Sequence, residues 1–262
     1  MRTALFCCLL IALSVGVCHA AWITHDRPAS PRAQLLQQLR TRAEYGDAGA
    51  QFNLGLMYVR GDGVRQDDVE AAKWFRNAAV QGDSDAQFNL GLMYQRGDGV
   101  PQDLVEAAQW YRRAAEHGNA KAEYNLGLMY DRGDGVQQDY AKALEWFCRA
   151  AEQGDADAQA NLGVMYAQGA GVSQNYASAV KWFRKAAVQG DPDAQSYLGV
   201  LYQRGDGVLR DSVEAYAWLS IAAAQGNARA AALRDQIAAR FTPPDLSRAQ
   251  ALSKQYGSEC LF

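Results

Sequence analysis

The sequence predicts an all-α solenoid of stacked helical hairpins, on three observations. Gly46, Gly82, Gly118, Gly154, Gly190 and Gly226 stand 36 residues apart, and no insertion or deletion disturbs the register from Gly46 to Gln225. A strict period of this length marks repeated supersecondary units. Within each period the apolar residues recur at helical spacing, bracketed by two sets of helix start and stop signals. Composition agrees: 24 glycines stand against six prolines in 262 residues. Each unit uses glycine at its start, within its first helix and twice in its loop, so the repeat itself explains the excess.

Residues 1–20 read as an export signal. Arg2 is followed by an apolar run from Ala4 to Val17, and Cys18-His19-Ala20 places small residues for cleavage before Ala21. Acylation at Cys18 ranks second, because Val17 stands where a smaller residue usually precedes a lipidated cysteine; an uncleaved anchor ranks third. No later stretch is long and apolar enough to span a membrane. Cleavage removes one arginine and no acid, moving the net charge from −3 to −4. It also leaves only Cys148 and Cys260 of five cysteines, in a compartment where a disulfide can persist. Residues 21–45 form an N-terminal segment and a capping helix, opened by Ser30-Pro31 and running to about Tyr45.

Residues 46–225 are five units of two helices each. Asp47 and its copies Asp83, Asn119, Asp155 and Asp191 are N-caps, and Pro192 follows its cap where a missing N–H costs nothing. Ala50, Leu54, Met57 and Tyr58 form one apolar stripe. Gly61 stops the first helix, and Val64 plugs the loop. Asp67 caps the second helix, with Glu70 completing a capping box, repeated as Asp103/Glu106 and Asp211/Glu214. Ala71, Trp74, Phe75, Ala78 and Ala79 follow, to Gln81-Gly82. Gly55 and its copies sit inside a helix, where glycine costs about 1 kcal/mol against alanine; close approach of a neighbour explains them. The Trp column (Trp74, Trp110, Trp146, Trp182, Trp218) is expected to be core. Residues 226–262 supply a sixth first helix to about Phe241, a last helix from Thr242-Pro243 to about Tyr256, and a tail. Their more polar outer faces suit the end of a stack.

Chemistry-bearing groups are few. A net charge of −3 gives no ground for nucleic-acid binding. The chain after residue 20 holds only His25 and His117, and no metal, cofactor or catalytic set is expected. Ser178 and Lys181 match a Ser-x-x-Lys pair, yet the companion motifs are missing and the same columns elsewhere hold the charge pairs Glu70/Lys73 and Lys142/Glu145. Four units spell Arg-Gly-Asp (Arg60–Asp62, Arg96–Asp98, Arg132–Asp134, Arg204–Asp206), which resembles the integrin-recognition tripeptide. The fourth unit, Gln168-Gly169-Ala170, keeps the loop and loses the motif, so a helix stop is the stronger reading.

Leu54-Gly55-x-x-Tyr58 is similar to the signature of tetratricopeptide repeats, whose period is shorter. The longer period and the Gly-x-Gly-Val loop resemble the Sel1-like repeat instead, in all five units. The resemblance implies a right-handed αα superhelix and a family mostly of adaptors and scaffolds, some exported members of which serve envelope or host-interaction roles. A cysteine-rich branch, with a disulfide in each hairpin, is linked to β-lactam binding and hydrolysis. This chain departs from it, having no Cys pair in any unit. Cys148 falls in an Arg column (Arg76, Arg112, Arg184) expected to face solvent, and it is not expected to reach Cys260 across more than two repeats of roughly 10 Å each.

In such solenoids the resemblance places the first helices along the concave groove. Their exposed positions give an Asn ladder (Asn53, Asn89, Asn125, Asn161) beside an Arg ladder (Arg60, Arg96, Arg132, Arg204), with an aliphatic strip between. Asn can both donate to and accept from an extended peptide backbone, and Arg can hold a carboxylate. The other reading has these side chains tie first helices to loops or neighbouring units. The expectation is therefore an exported, periplasmic or secreted, non-catalytic scaffold for a protein or peptide. The alternatives are an enzyme acting on β-lactams or cell-wall peptides, and a secreted host-interaction factor. Oligomeric state stays open.

Overall fold

The computed structural model describes residues 31–259, which form thirteen helices and no strand. The signal segment, His25 and Cys260 lie outside the described residues. α1 (Pro31–Glu44) opens the stack. Five hairpins follow: α2 (Ala48–Arg60) with α3 (Asp68–Ala79), α4 (Ser84–Arg96) with α5 (Leu104–Glu116), α6 (Ala120–Arg132) with α7 (Tyr140–Glu152), α8 (Ala156–Gln168) with α9 (Tyr176–Val188), and α10 (Pro192–Arg204) with α11 (Ser212–Ala224). α12 (Ala228–Ala238) and α13 (Pro243–Glu259) close it, both packed on α11. Each helix otherwise packs on its sequence neighbours, so the core is a continuous strip and not a ball.

Local chemistry sets the boundaries. The Asp47 carboxylate accepts from the Ala50 N–H at 2.8 Å, and every first helix repeats this cap. Asp67 accepts from Val69 and Glu70 N–H groups. The capping box is only half formed, which corrects the sequence reading. The N–H that Glu70 would satisfy, that of Asp67, already donates to the Tyr58 carbonyl at 3.0 Å. Glu70 instead pairs with Lys73, and Glu214 accepts from the Tyr256 hydroxyl at 3.0 Å. Gly61 closes α2 in the left-handed conformation at φ 73°, its N–H bonding the Met57 carbonyl. The second helices stop short of the expected Gln-Gly; α3 ends at Ala79.

The largest fully buried side chains, Tyr111, Phe75, Phe147 and Phe183, form one column of the second helices, with Leu219 as its fully buried fifth member. Each lies on the glycine inside its partner first helix: a Cβ on Gly55 would fall 2.6 Å from the Phe75 ring. That close approach is why a helix-weakening glycine recurs five times. The neighbouring Trp column is less deep than expected. Trp110 and Trp218 are buried, whereas Trp74, Trp146 and Trp182 are half-buried. Cations one turn on lie over three of these rings: Arg113 over Trp110 at 4.4 Å, Arg149 over Trp146 at 4.6 Å and Lys185 over Trp182 at 4.2 Å.

A buried polar column joins units. Gln51, Gln87, Glu123, Gln159 and Gln195 are each buried, 36 residues apart. The Gln51 amide donates to the Ala43 carbonyl of the preceding helix at 2.9 Å, and its oxygen accepts from Gln81 at 2.7 Å. Gln159 and Gln195 repeat both bonds. The third unit solves the same problem differently. Glu123, 1% exposed, cannot donate; Arg149 pairs with it at 3.0 Å and gives the Ala115 carbonyl its missing donor at 3.2 Å. Gln153 donates to the other Glu123 oxygen at 2.6 Å. In the second unit His117 stands where the donor glutamine belongs, and the buried Gln87 Oε1 has no partner. His117→Gln is therefore expected to stabilise the protein by about 1 kcal/mol, the usual worth of one such bond. Thermal unfolding of the single variant checks this; an unchanged or lower midpoint would count against it.

Two further contacts stitch the units. The second loop glycine rests on the preceding unit's backbone: a Cβ on Gly99 would run into the Asp68 carbonyl at the start of α3. On the outer side Arg112 donates to the Tyr130 hydroxyl of the next unit at 2.7 Å, as Arg76 does to Tyr94 and Arg184 to Tyr202. Cys148 occupies this column in the third unit. The arginines there are exposed as expected, but Cys148 is half-buried against the core. Burial pushes its thiol pKa up, making it a poor nucleophile.

Candidate interaction surface

The first helices form the inner face. Consecutive ones stand close enough for the Asn119 amide to donate to Asp85 at 2.9 Å and Asn227 to Asp193 at 3.3 Å. A single recess touches three units in a row, floored by Phe52, Leu56 and Phe88 and rimmed by Arg60, Asn89 and Lys121. Only the concave side of a stack lets three successive first helices share one recess.

The Asn ladder lies on this face but is partly engaged. Asn53, Asn89, Asn125 and Asn161 each donate one amide hydrogen to the carbonyl four residues back, at 2.8, 2.7, 2.8 and 2.9 Å. For Asn53, Asn89 and Asn125 that is the one hydrogen bond among the described residues. The bond fixes the amide's direction and leaves its oxygen and second hydrogen for a ligand. The Arg ladder is freer. Arg60, Arg96, Arg132 and Arg204 are all exposed, and none makes an ion pair or hydrogen bond among the described residues. In each Arg-Gly-Asp the glycine is the left-handed helix stop, as expected of a structural triplet.

The groove changes character along its length. Phe52, Phe88 and Tyr124 pack as tilted rings within their hairpins, centroids 5.8 Å from Phe75, Tyr111 and Phe147. The next members of that column are Ala160 and Ser196. Tyr197, standing where an Asn rung would be, swings onto Phe183 instead, at 5.0 Å and 15° between planes. The lost rings leave a cavity of about 350 Å³ beside Phe183, Tyr197, Arg204 and Arg229. The face also extends one helix beyond the five units. α12 presents Arg229, Leu233 and Gln236, and the turn after it Arg240, in the positions of Gly49, Asn53, Leu56 and Arg60. Arg240 is the missed rung of the Arg ladder, 36 residues after Arg204; continuing the period past Gln225 would have found it.

The Ser178/Lys181 pair gains no support as a reactive couple. The Ser178 N–H is capped by Asn175 at 3.0 Å in the first turn of α9, and no hydrogen bond links its side chain to Lys181. Among the described residues no cluster of His, Cys, Asp and Glu could hold a metal ion, and no helix is long and apolar enough to cross a membrane.

The profile of the Sel1 repeat matches residues 48–83, 84–119, 120–155, 156–191 and 192–227. The chain belongs to the Sel1 repeat family. These bounds follow the N-cap of each first helix, as do the hairpins described above. Among solved structures, a protective antigen of uropathogenic Escherichia coli displaying an SLR fold is 38% identical, with a TM-score of 0.76 over 86% of this chain. The chain spans 48% of that antigen's length. A Sel1 repeat protein from Oxalobacter formigenes is 35% identical with a TM-score of 0.72, covering 84% of this chain and 90% of its own. No protein of curated function matches. Proteins of this family are generally scaffolds for protein–protein interaction, typically without catalysis of their own.

Proposed function

We propose that this Sel1 repeat protein is exported and holds a peptide or protein partner along its concave face, with Asn53, Asn89, Asn125 and Asn161 meeting the partner's backbone and Arg60, Arg96, Arg132 and Arg204 its acidic groups. The observation that carries this reading is the Arg ladder: four exposed guanidinia on one face, each without an ion-pair or hydrogen-bond partner. Internal ion pairing would have been the structural reason to keep them, and none is made. Export rests on the signal pattern of residues 1–20.

The test uses the chain from Ala21 as bait in an envelope extract, with captured proteins identified by mass spectrometry. The combined variant Asn89→Ala, Asn125→Ala, Arg132→Ala is expected to lose the partner while its circular dichroism stays that of the parent. Each alanine removes a surface group and at most one local bond, so the fold should survive. Full capture by the triple variant would overturn the groove reading. Fractionation of the producing cell tests export; a mature protein confined to the cytoplasm would overturn it.

A further inference from the structure

A second, smaller cleft lies at the C-terminal end of the inner face, between α10 and α12. It encloses about 140 Å³, floored by Val200, Leu219, Leu233 and Ile237 and rimmed by Arg204, Arg229 and Arg240. None of the three guanidinia makes an ion pair or hydrogen bond among the described residues, and no acid lines this cleft. One residue of its lining also carries an unsatisfied acceptor. Gln203 Oε1 is buried without a partner, because its counterpart Gln95 accepts from the Tyr111 hydroxyl at 2.7 Å and the fifth unit has Leu219 at the ring's position. The cleft thus offers an apolar floor and a concentrated positive rim, with one buried acceptor in its wall that requires a donor.

We infer that this cleft takes the C-terminal residue of a partner chain: an apolar side chain in the floor, the free carboxylate on the arginines, and that residue's amide N–H on Gln203, whose Oε1 turns out of the wall to meet it. The inference rests on the reading of the inner face as a peptide groove. Each part of the occupant answers a feature of the cleft. The volume is close to the roughly 150 Å³ of an apolar protein cavity known to hold benzene, which suits a leucine-, methionine- or phenylalanine-sized group. Guanidinia pair with carboxylates through two parallel bonds. A small amphipathic anion would leave Gln203 without its donor, whereas a peptide supplies one. The cleft also shares Val200, Arg204 and Arg229 with the larger cavity beside Tyr197, giving the preceding residues a path into the groove. Asp193 and Asp206 line that outer cavity and repel a carboxylate there, directing it to the inner cleft.

The experiment measures binding of labelled pentapeptides to the full chain by fluorescence anisotropy, up to about 1 mM protein. The probes are Gly-Ser-Gly-Ser-Leu with a free carboxylate, the same peptide as its C-terminal amide, and the peptide ending in serine. The free acid ending in leucine is expected to bind about tenfold or more tightly than the other two. Arg229→Ala with Arg240→Ala, both exposed positions, should weaken it by a similar factor at unchanged thermal stability. Equal binding of the amide, indifference to the double variant, no binding of the free acid, or displacement by octanoate at equal affinity would each overturn the assignment. The groove variant Asn89→Ala, Asn125→Ala, Arg132→Ala should leave pentapeptide binding intact. If the pentapeptide fails while capture still depends on those three residues, the cleft reading falls and the groove reading stands; the reverse pattern removes the groove alone.

Discussion

Arg149→Ala is expected to destabilise the protein by about 3 kcal/mol, the usual cost of stranding one partner of a buried ion pair. The loss has two parts. Glu123, 1% exposed, keeps only Gln153 as a neutral donor, and the Ala115 carbonyl loses its only side-chain donor. Restoring the chemistry of the other units should rescue it. In the double variant Glu123→Gln, Arg149→Ala the new amide can donate to Ala115 and accept from Gln153, as Gln51 does with Ala43 and Gln81. The double variant is expected within about 1 kcal/mol of the parent. If it stays as unstable as Arg149→Ala, the ladder does not have the role assigned to it. The pH dependence has a definite sign. Burial raises the Glu123 pKa above its ordinary 4.5, against the lowering by Arg149 and Gln153. A raised carboxyl favours the folded state while protonated, so its contribution is complete below about pH 4.5 and lost as pH rises through the higher folded value. Removing Arg149 raises that value further. The deficit of Arg149→Ala should therefore shrink as unfolding is measured at lower pH.

The second large effect is expected at a loop. Gly133 and Gly135 flank the same turn, both at positive φ, 80° and 67°. An alanine at either meets left-handed strain of about 1–2 kcal/mol. At Gly133 the added methyl has only Gln138 nearby, 3.3 Å away. At Gly135 it runs into the Leu104 carbonyl, backbone of the preceding unit. Gly135→Ala must push two units apart and should cost about 3 kcal/mol in total. Thermal unfolding of the two variants side by side separates the terms. Equal losses would mean that the loop does not transmit stability between units.

Most of the architecture was legible because its signals are local. An N-cap aspartate, a helix-stop glycine and a glycine under an aromatic ring each act within one hairpin, and the period multiplies them. What escaped was set by neighbours in space. Gln51 looks like an outward polar residue, since nothing in its own helix shows that the Ala43 carbonyl and Gln81 wait on either side. The one hint was a column holding only Gln or Glu in five units. Trp74 and Phe75 are adjacent, and periodicity cannot rank two neighbouring columns by depth; the glycine beneath Phe75 decides it. The capping box failed because the Tyr58 carbonyl across the loop reached the Asp67 N–H first. Of the inner face, the Arg ladder and the Asn ladder were visible in the repeat. Arg229 and Arg240 were hidden by ending the period at the last full unit.

The Glu123–Arg149 pair has a consequence for how such a chain can change its length. Both residues, and Gln153 with them, lie between Ala120 and Asp155, inside one matched repeat. The carbonyl that Arg149 reaches is the one every preceding unit presents, at Ala43, Ala79, Ala115, Ala151 and Ala187. The odd unit is thus a self-contained cassette. Gene duplication or loss in whole steps of 36 residues, cut between these bounds, moves the charge pair together and finds an acceptor waiting wherever it lands. A recombination point between Glu123 and Arg149 would instead hand the buried charge to whatever fills the Arg149 column: Arg113 or Lys185 could answer it, whereas Asn77 or Ile221 could not. Stacking chemistry of this kind selects where a repeat gene can be cut.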